Sequence, residues 1–151
     1  MAVSVSRCPM SVSEEIKVKC PGCGADQPVT VIKTVDASAD PGAREALFAW
    51  QVNVFTCREC DMRALLPVDL LYVDPEKGFS VQYYPLDALG SDQFYGQFRR
   101  NGEPVKTPAY KGKDGRAIKP HIVFDMAEMM RYITFREIAF RKGVPLKEPK
   151  K

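Results

Sequence analysis

The chain has 151 residues, enough for one domain with a proper core, so neither metals nor disulfides are needed merely to let it fold. Hydrophobic residues make up 45% and charged residues 27%, a balance that excludes a largely disordered chain, and no apolar run approaches the length of a bilayer span. The net charge of +3 is unevenly spread: residues 1–96 hold 8 basic and 13 acidic side chains, residues 97–151 hold 14 and 6. An acidic front and a basic back predict two surfaces that attract each other or meet a charged partner.

Nothing before Met10 shows periodicity and the β pattern begins at Ile16, so residues 1–15 read as an N-terminal extension, with Cys8 a free surface thiol. Ser4, Ser6, Arg7, Ser11, Ser13 and Glu14 interrupt any apolar signal core, which predicts a cytoplasmic protein. Ile16 and Val18 alternate with Lys17 and Lys19, the period of a half-buried strand running into Cys20. Val29, Val31, Ile32 and Val35 predict a second, β-branched strand. Asp40 followed by Pro41 is an N-cap with proline at the first helical position, opening a short helix over residues 43–50. Val52, Val54 and Phe55 form a strand feeding Cys57, and residues 63–73 and 79–84 read as two more strands around a turn at 74–78. Residues 16–88 thus form one β-rich unit.

Glycine, proline and basic residues accumulate over 89–120, predicting a basic irregular segment with one short hairpin. Asp125 then caps a C-terminal helix, with Glu128 in capping-box position. Met126, Met129, Met130, Ile133 and Phe140 follow at helical spacing, and Gly143 with Pro145 ends the helix. Phe135, Ile138 and Ala139 make a second apolar stripe. Residues 121–145 therefore pack on the same domain, and 146–151 form a solvated tail.

Four of the five cysteines form two Cys-x-x-Cys knuckles, Cys20/Cys23 and Cys57/Cys60, with 33 residues between them. A knuckle turns sharply, so that both sulfurs face one point while backbone amides turn towards them. Gly24 admits the positive φ this turn requires; Asp61, of a type that tolerates left-handed geometry, holds the same place in the second knuckle. A reducing compartment argues against a disulfide framework. Four thiolates saturate one tetrahedral zinc and leave no open position, so the expected ion is structural. Spacing alone also admits iron. Thioredoxin-type chemistry needs a knuckle at a helix start, whereas Gly24 and Gln27-Pro28 follow Cys23.

The remaining residues offer no candidate for catalysis. His121, the single histidine, reads as a structural residue before the strand-like Ile122-Val123-Phe124. No nucleophile elbow or phosphate-cradling glycine loop occurs, and Asp69, Asp74 and Glu76 read as solvated carboxylates around a turn. The expectation is a protein that is not an enzyme, with no membrane and no small-molecule substrate.

Val18-Lys19-Cys20-Pro21-Gly22-Cys23-Gly24, the helix start Asp40-Pro41, and Val54-Phe55-Thr56-Cys57-Arg58-Glu59-Cys60 recur with Leu71-Tyr72-Val73-Asp74 and Gly78-Phe79 in an order that resembles the bacterial CpXC domain, named for its first knuckle. The resemblance covers residues 16–86 and extends to Ile122-Val123-Phe124 and the helix after it. It implies a zinc-ribbon-containing fold with Cys20, Cys23, Cys57 and Cys60 on the metal, and brings no established activity. The expected fold class is α+β: a zinc-ribbon-type antiparallel β domain with a short inserted helix and a C-terminal helix packed on it. The expected function is a zinc-stabilised binding or regulatory module that contacts another protein through exposed aromatics such as Phe79, Tyr83, Tyr84, Phe94 and Tyr95. The alternative is a nucleic-acid-binding protein that uses the basic 97–120 segment. Its contacts would be Arg99, Arg100, Lys111, Lys113 and Arg116, with Lys106, Lys119, Phe98 and Tyr110 beside them. The acidic ribbon half and the modest net charge favour the protein partner.

Overall fold

The computed structural model describes residues 11–106 and 110–145; Cys8 and the tail at 146–151 lie outside them. Strands β1 (Ser11–Lys19), β2 (Asp26–Asp36), β5 (Leu70–Asp74), β6 (Phe79–Tyr83) and β7 (Pro120–Val123) form a sheet in the order β1-β2-β5-β6-β7. Strands β3 (Val54–Thr56) and β4 (Arg63–Leu65) pair in a separate small ribbon. Helices α1 (Pro41–Phe48), α2 (Asp92–Tyr95) and α3 (Met126–Lys142) complete a mixed α+β fold. The class and the C-terminal helix are those expected. No helix of the described residues is long and apolar enough to cross a membrane.

Pairing is antiparallel for β1/β2, β3/β4 and β5/β6, and parallel for β2/β5 and β6/β7. The parallel pairs make the main sheet mixed rather than purely antiparallel. Parallel neighbours need a long crossover, supplied here by residues 37–69 and 84–119. Two boundaries also depart from the sequence pattern. Residues 11–15, read as extension, pair with β2 as the start of β1. Ser13, Glu14 and Glu15 break any apolar alternation, so backbone pairing rather than a sequence pattern marks the strand. The strand expected over 63–73 breaks into β4 and β5, with Pro67, which has no N–H to donate, between them.

Along β6, Phe79, Val81 and Tyr83 face the helices and meet Met126, Met129 and Ile133 of α3, while Leu47 of α1 joins the same core. Asp40 caps α1 by accepting from the Ala43 amide at 3.1 Å, and Asp125 caps α3 by accepting from Ala127 at 2.8 Å. A forked ion pair ties the two helices: Arg44 Nε and Nη2 donate to the Glu137 carboxylate at 2.8 and 2.7 Å. A second, smaller core of Cys20, Val31, Phe55, Cys57 and Leu66 lies where the β1–β2 hairpin meets the β3–β4 ribbon. Past β6, residues 86–90 make a 3-10 turn, and two isolated bridges, Phe98 to Pro104 and Lys111 to Ala117, pin the segment before β7.

Candidate metal centre

Each knuckle is the tip of a hairpin. Cys20–Gly24 joins β1 to β2, where the Gly24 amide donates to the Cys20 carbonyl at 2.9 Å and the Cys20 amide to the Ala25 carbonyl at 2.9 Å. The second tip repeats the design: Asp61 donates to the Cys57 carbonyl at 2.9 Å and Cys57 to the Met62 carbonyl at 2.8 Å. Gly24 and Asp61 both take positive φ, 79° and 62°, as the turn requires. In each tip an amide points at the first sulfur, Gly22 N to Cys20 Sγ and Glu59 N to Cys57 Sγ, both at 3.3 Å.

The two tips meet. Cys20 Sγ lies 3.6 Å from Cys60 Sγ, Cys23 Sγ lies 3.6 Å from Cys57 Sγ, and all four sulfurs fall within 4.8 Å of one another. Sulfurs bound at about 2.3 Å to a tetrahedral ion stand about 3.8 Å apart, so the cluster has the dimensions such an ion needs. The separations are far beyond the roughly 2.05 Å of a disulfide. Cys20 and Cys57 are buried, Cys23 and Cys60 exposed, so the centre sits at the surface with one side walled by the smaller core.

The clustered thiols shift one another's titration. The Cys23 amide, chiefly, draws the Cys20 thiol down to about 6, assisted by Gly22 and the facing thiols against the effect of burial. Cys60 is pushed up to about 12: the Met62 amide works in the opposite direction, but Cys20, burial, Cys57 and Cys23 together prevail. Cys23 also rises, because Cys57, burial and Cys20 outweigh the Ala25 amide. Cys20 ionises readily while Cys23 and Cys60 resist, which is the electrostatic state of a donor set built around a cation.

Two residues that the pattern reading passed over hold the tips in place. Gln27 Nε2 donates to the Thr56 carbonyl and its Oε1 accepts from the Arg58 amide, each at 2.9 Å, clasping the second knuckle to the strand leaving the first. Asn53 is buried at φ 57°; its Oδ1 accepts from Ile32 N at 2.7 Å and its Nδ2 donates to Ile32 O at 3.0 Å. Its own backbone carbonyl accepts from Leu66 N at 2.7 Å, so one residue, through side chain and main chain, stitches the small ribbon to β2. A lone glutamine or asparagine carries no spacing signal; only the fold shows what each faces.

The CpXC protein family profile matches residues 18–139, most of the chain. The chain belongs to the CpXC family. No curated protein and no solved structure matches it. Within this CpXC chain, the fold gathers Cys20, Cys23, Cys57 and Cys60 into a cluster able to hold a metal ion.

The other candidate residues are dispersed. Of the aromatics expected at the surface, Phe79, Tyr83, Tyr84 and Phe94 are buried and only Tyr95, 49% exposed, is open. The reason is that β6 is covered on both sides. Phe79 and Tyr83 face α3, and Tyr84 packs edge-on against Phe94 and Phe98 at ring distances of 4.8 and 5.8 Å. Among the basic residues, Lys113 reaches Glu76 at 4.0 Å, Arg116 reaches Asp114 at 3.9 Å and Lys119 reaches Glu103 at 3.9 Å. Lys111 bridges to Ala117 within the same turn, well along the chain from Arg99 and Arg100 beside the Phe98 bridge. His121 stacks on Tyr132 of α3, centroids 4.0 Å apart and 7° from parallel. Asp74, expected to be solvated, is buried: it accepts from Ser38 Oγ at 2.9 Å and the Lys77 amide at 3.1 Å, closing its turn from within.

Proposed function

We propose that this CpXC protein is a zinc-stabilised, non-enzymatic module of the bacterial cytoplasm that contacts another protein. The observation that carries this reading is the closed set of four sulfurs within 4.8 Å on two facing hairpin tips. Such a set gives a divalent ion no free coordination position, the condition of a structural site. When bound, zinc supplies the positive charge that lets all four thiols ionise together. The chain does the rest: Gln27 and Asn53 hold the hairpins at the right separation, and the knuckle amides satisfy the sulfurs. Zinc suits four thiolates because it is borderline-soft and accepts the tetrahedron without preference of its own.

The partner half of the reading rests on the surface. Phe135 and Ile138, neighbours on one face of α3, are 61% and 41% exposed, and Phe140 on another face is 56% exposed. Nucleic acid is disfavoured because Lys113, Arg116 and Lys119 lie within 4.0 Å of carboxylates, which among the described residues interrupts the row of free cations. Elemental analysis of the purified chain is expected to find about one zinc per molecule, lost in Cys20→Ser and Cys57→Ser and kept in Cys8→Ser. Full occupancy in a Cys20→Ser/Cys23→Ser double variant would overturn the assignment. Oligonucleotides are expected to bind only in the non-specific range of about 10⁻⁴ to 10⁻⁶ M at physiological salt.

A further inference from the structure

We infer that a cleft along the outer edge of β7 takes an extended, acidic peptide segment bearing a large apolar side chain; this rests on the protein-binding reading above and gives it a place and a chemistry. Strand β7 ends the sheet, and among the described residues no strand pairs with its outer side. The Val123 carbonyl turns inward, accepting from Tyr84 N at 3.0 Å, so alternation turns the N–H and C=O of Ile122 to the open edge. Two cavities lie along that edge. One, of about 510 Å³, is bordered by Lys119, Pro120 and His121; the other, of about 530 Å³, is walled by Leu89, Phe94, Phe98 and Phe124. Arg99, Gly102 and Ile122 line both, so the two are continuous.

The apolar cavity is already built. Phe94 packs against Phe98 and Phe124 at ring distances of 5.0 and 6.2 Å, and Tyr95 OH donates to the Leu89 carbonyl at 2.8 Å. Arg99 and Arg100 also line this cavity, both exposed and, among the described residues, without an ion pair. Lys113, Arg116 and Lys119 are each within 4.0 Å of a carboxylate, so the two arginines are the unneutralised charge of this segment's apolar site. An open strand edge, a preformed apolar hole and two free guanidinium groups select a strand-forming peptide with one or two carboxylates beside a large apolar side chain. Two adjacent arginines are too few to track a phosphate backbone.

The test is selection of phage-displayed random decapeptides on the full chain carrying its metal. Enriched sequences should hold an aromatic or large aliphatic residue within two positions of an aspartate or glutamate. The synthetic consensus peptide should bind Arg99→Glu/Arg100→Glu at least tenfold more weakly, with the melting temperature of the variant unchanged. Binding should slow exchange of the Ile122 amide. Enrichment of peptides without acidic residues, no enrichment, equal binding by the charge-reversed variant, or displacement of the peptide by single-stranded oligonucleotide would each overturn the inference. Native partners that co-purify equally with wild type and with Arg99→Glu/Arg100→Glu would leave the general protein-binding reading standing and refute this cleft alone.

Discussion

Gly24 closes its knuckle at φ 79°, and a Cβ built there meets nothing within 4 Å. Gly24→Ala therefore isolates the backbone cost of left-handed geometry, expected at about 1 kcal/mol in urea unfolding of the metal-loaded protein. Asn53 is a sharper case, since its side chain satisfies both the N–H and the C=O of Ile32 from a left-handed position. Asn53→Gly keeps that φ and removes both hydrogen bonds, and should cost roughly 2–3 kcal/mol; Asn53→Asp, which keeps the acceptor but sets a buried carboxylate oxygen against the Ile32 carbonyl, should cost at least as much at pH 7. Asp69 shows the opposite kind of effect. Partial burial of its carboxyl raises its pKa from the ordinary value, against the pull of Lys33. A raised folded-state pKa means that the contribution of Asp69 is present at low pH and lost as pH rises through that value. Asp69→Asn should thus melt higher than wild type at pH 7, with the gap closing on acidification. A gap that widens on acidification would falsify this.

At the scale of elements, α1 and α3 are far apart in the chain but joined by the Arg44–Glu137 fork, whose side chains are only 27% and 18% exposed. Arg44 also lies over the Phe48 ring, 4.3 Å from its centroid. Hydrogen bonding to Glu137, mainly, raises the affinity of Arg44 for its proton. Half-buried, forked and stacked, this pair should outperform an exposed one, which contributes less than about 1 kcal/mol. A double-mutant cycle with Arg44→Met and Glu137→Gln should give a coupling of roughly 1–2 kcal/mol. A coupling near zero would mean that the helices are held by their apolar contacts with the sheet alone.

Across the whole molecule, two cores divide the labour. The larger joins β2, β5, β6 and β7 to α1 and α3 and includes no cysteine, whereas the smaller contains Cys20 and Cys57 themselves. Metal removal should therefore act unevenly. Amide exchange after chelation should speed up in β3, β4 and residues 16–31, while β5, β6 and α3 keep their protection. Uniform loss across all strands would show that the cores are one cooperative unit.

The sequence by itself determined the knuckles, the caps at Asp40 and Asp125, and the α+β class, because each depends on neighbours close in the chain. Cysteine spacing, a proline after an N-cap and apolar periodicity are local signals, and the positive φ at Asp61 follows from its place after a knuckle. Tertiary structure decided what local pattern cannot carry. It set the parallel pairings of β2 with β5 and β6 with β7, which depend on where long crossovers return. It drew residues 11–15 into a strand through backbone pairing that no apolar alternation announces. It buried Phe79, Tyr84 and Phe94, which the sequence had suggested for the surface, because layers from distant parts of the chain close over both sides of β6. It also placed Asn53 against Ile32, a contact between residues 21 apart that no spacing rule anticipates.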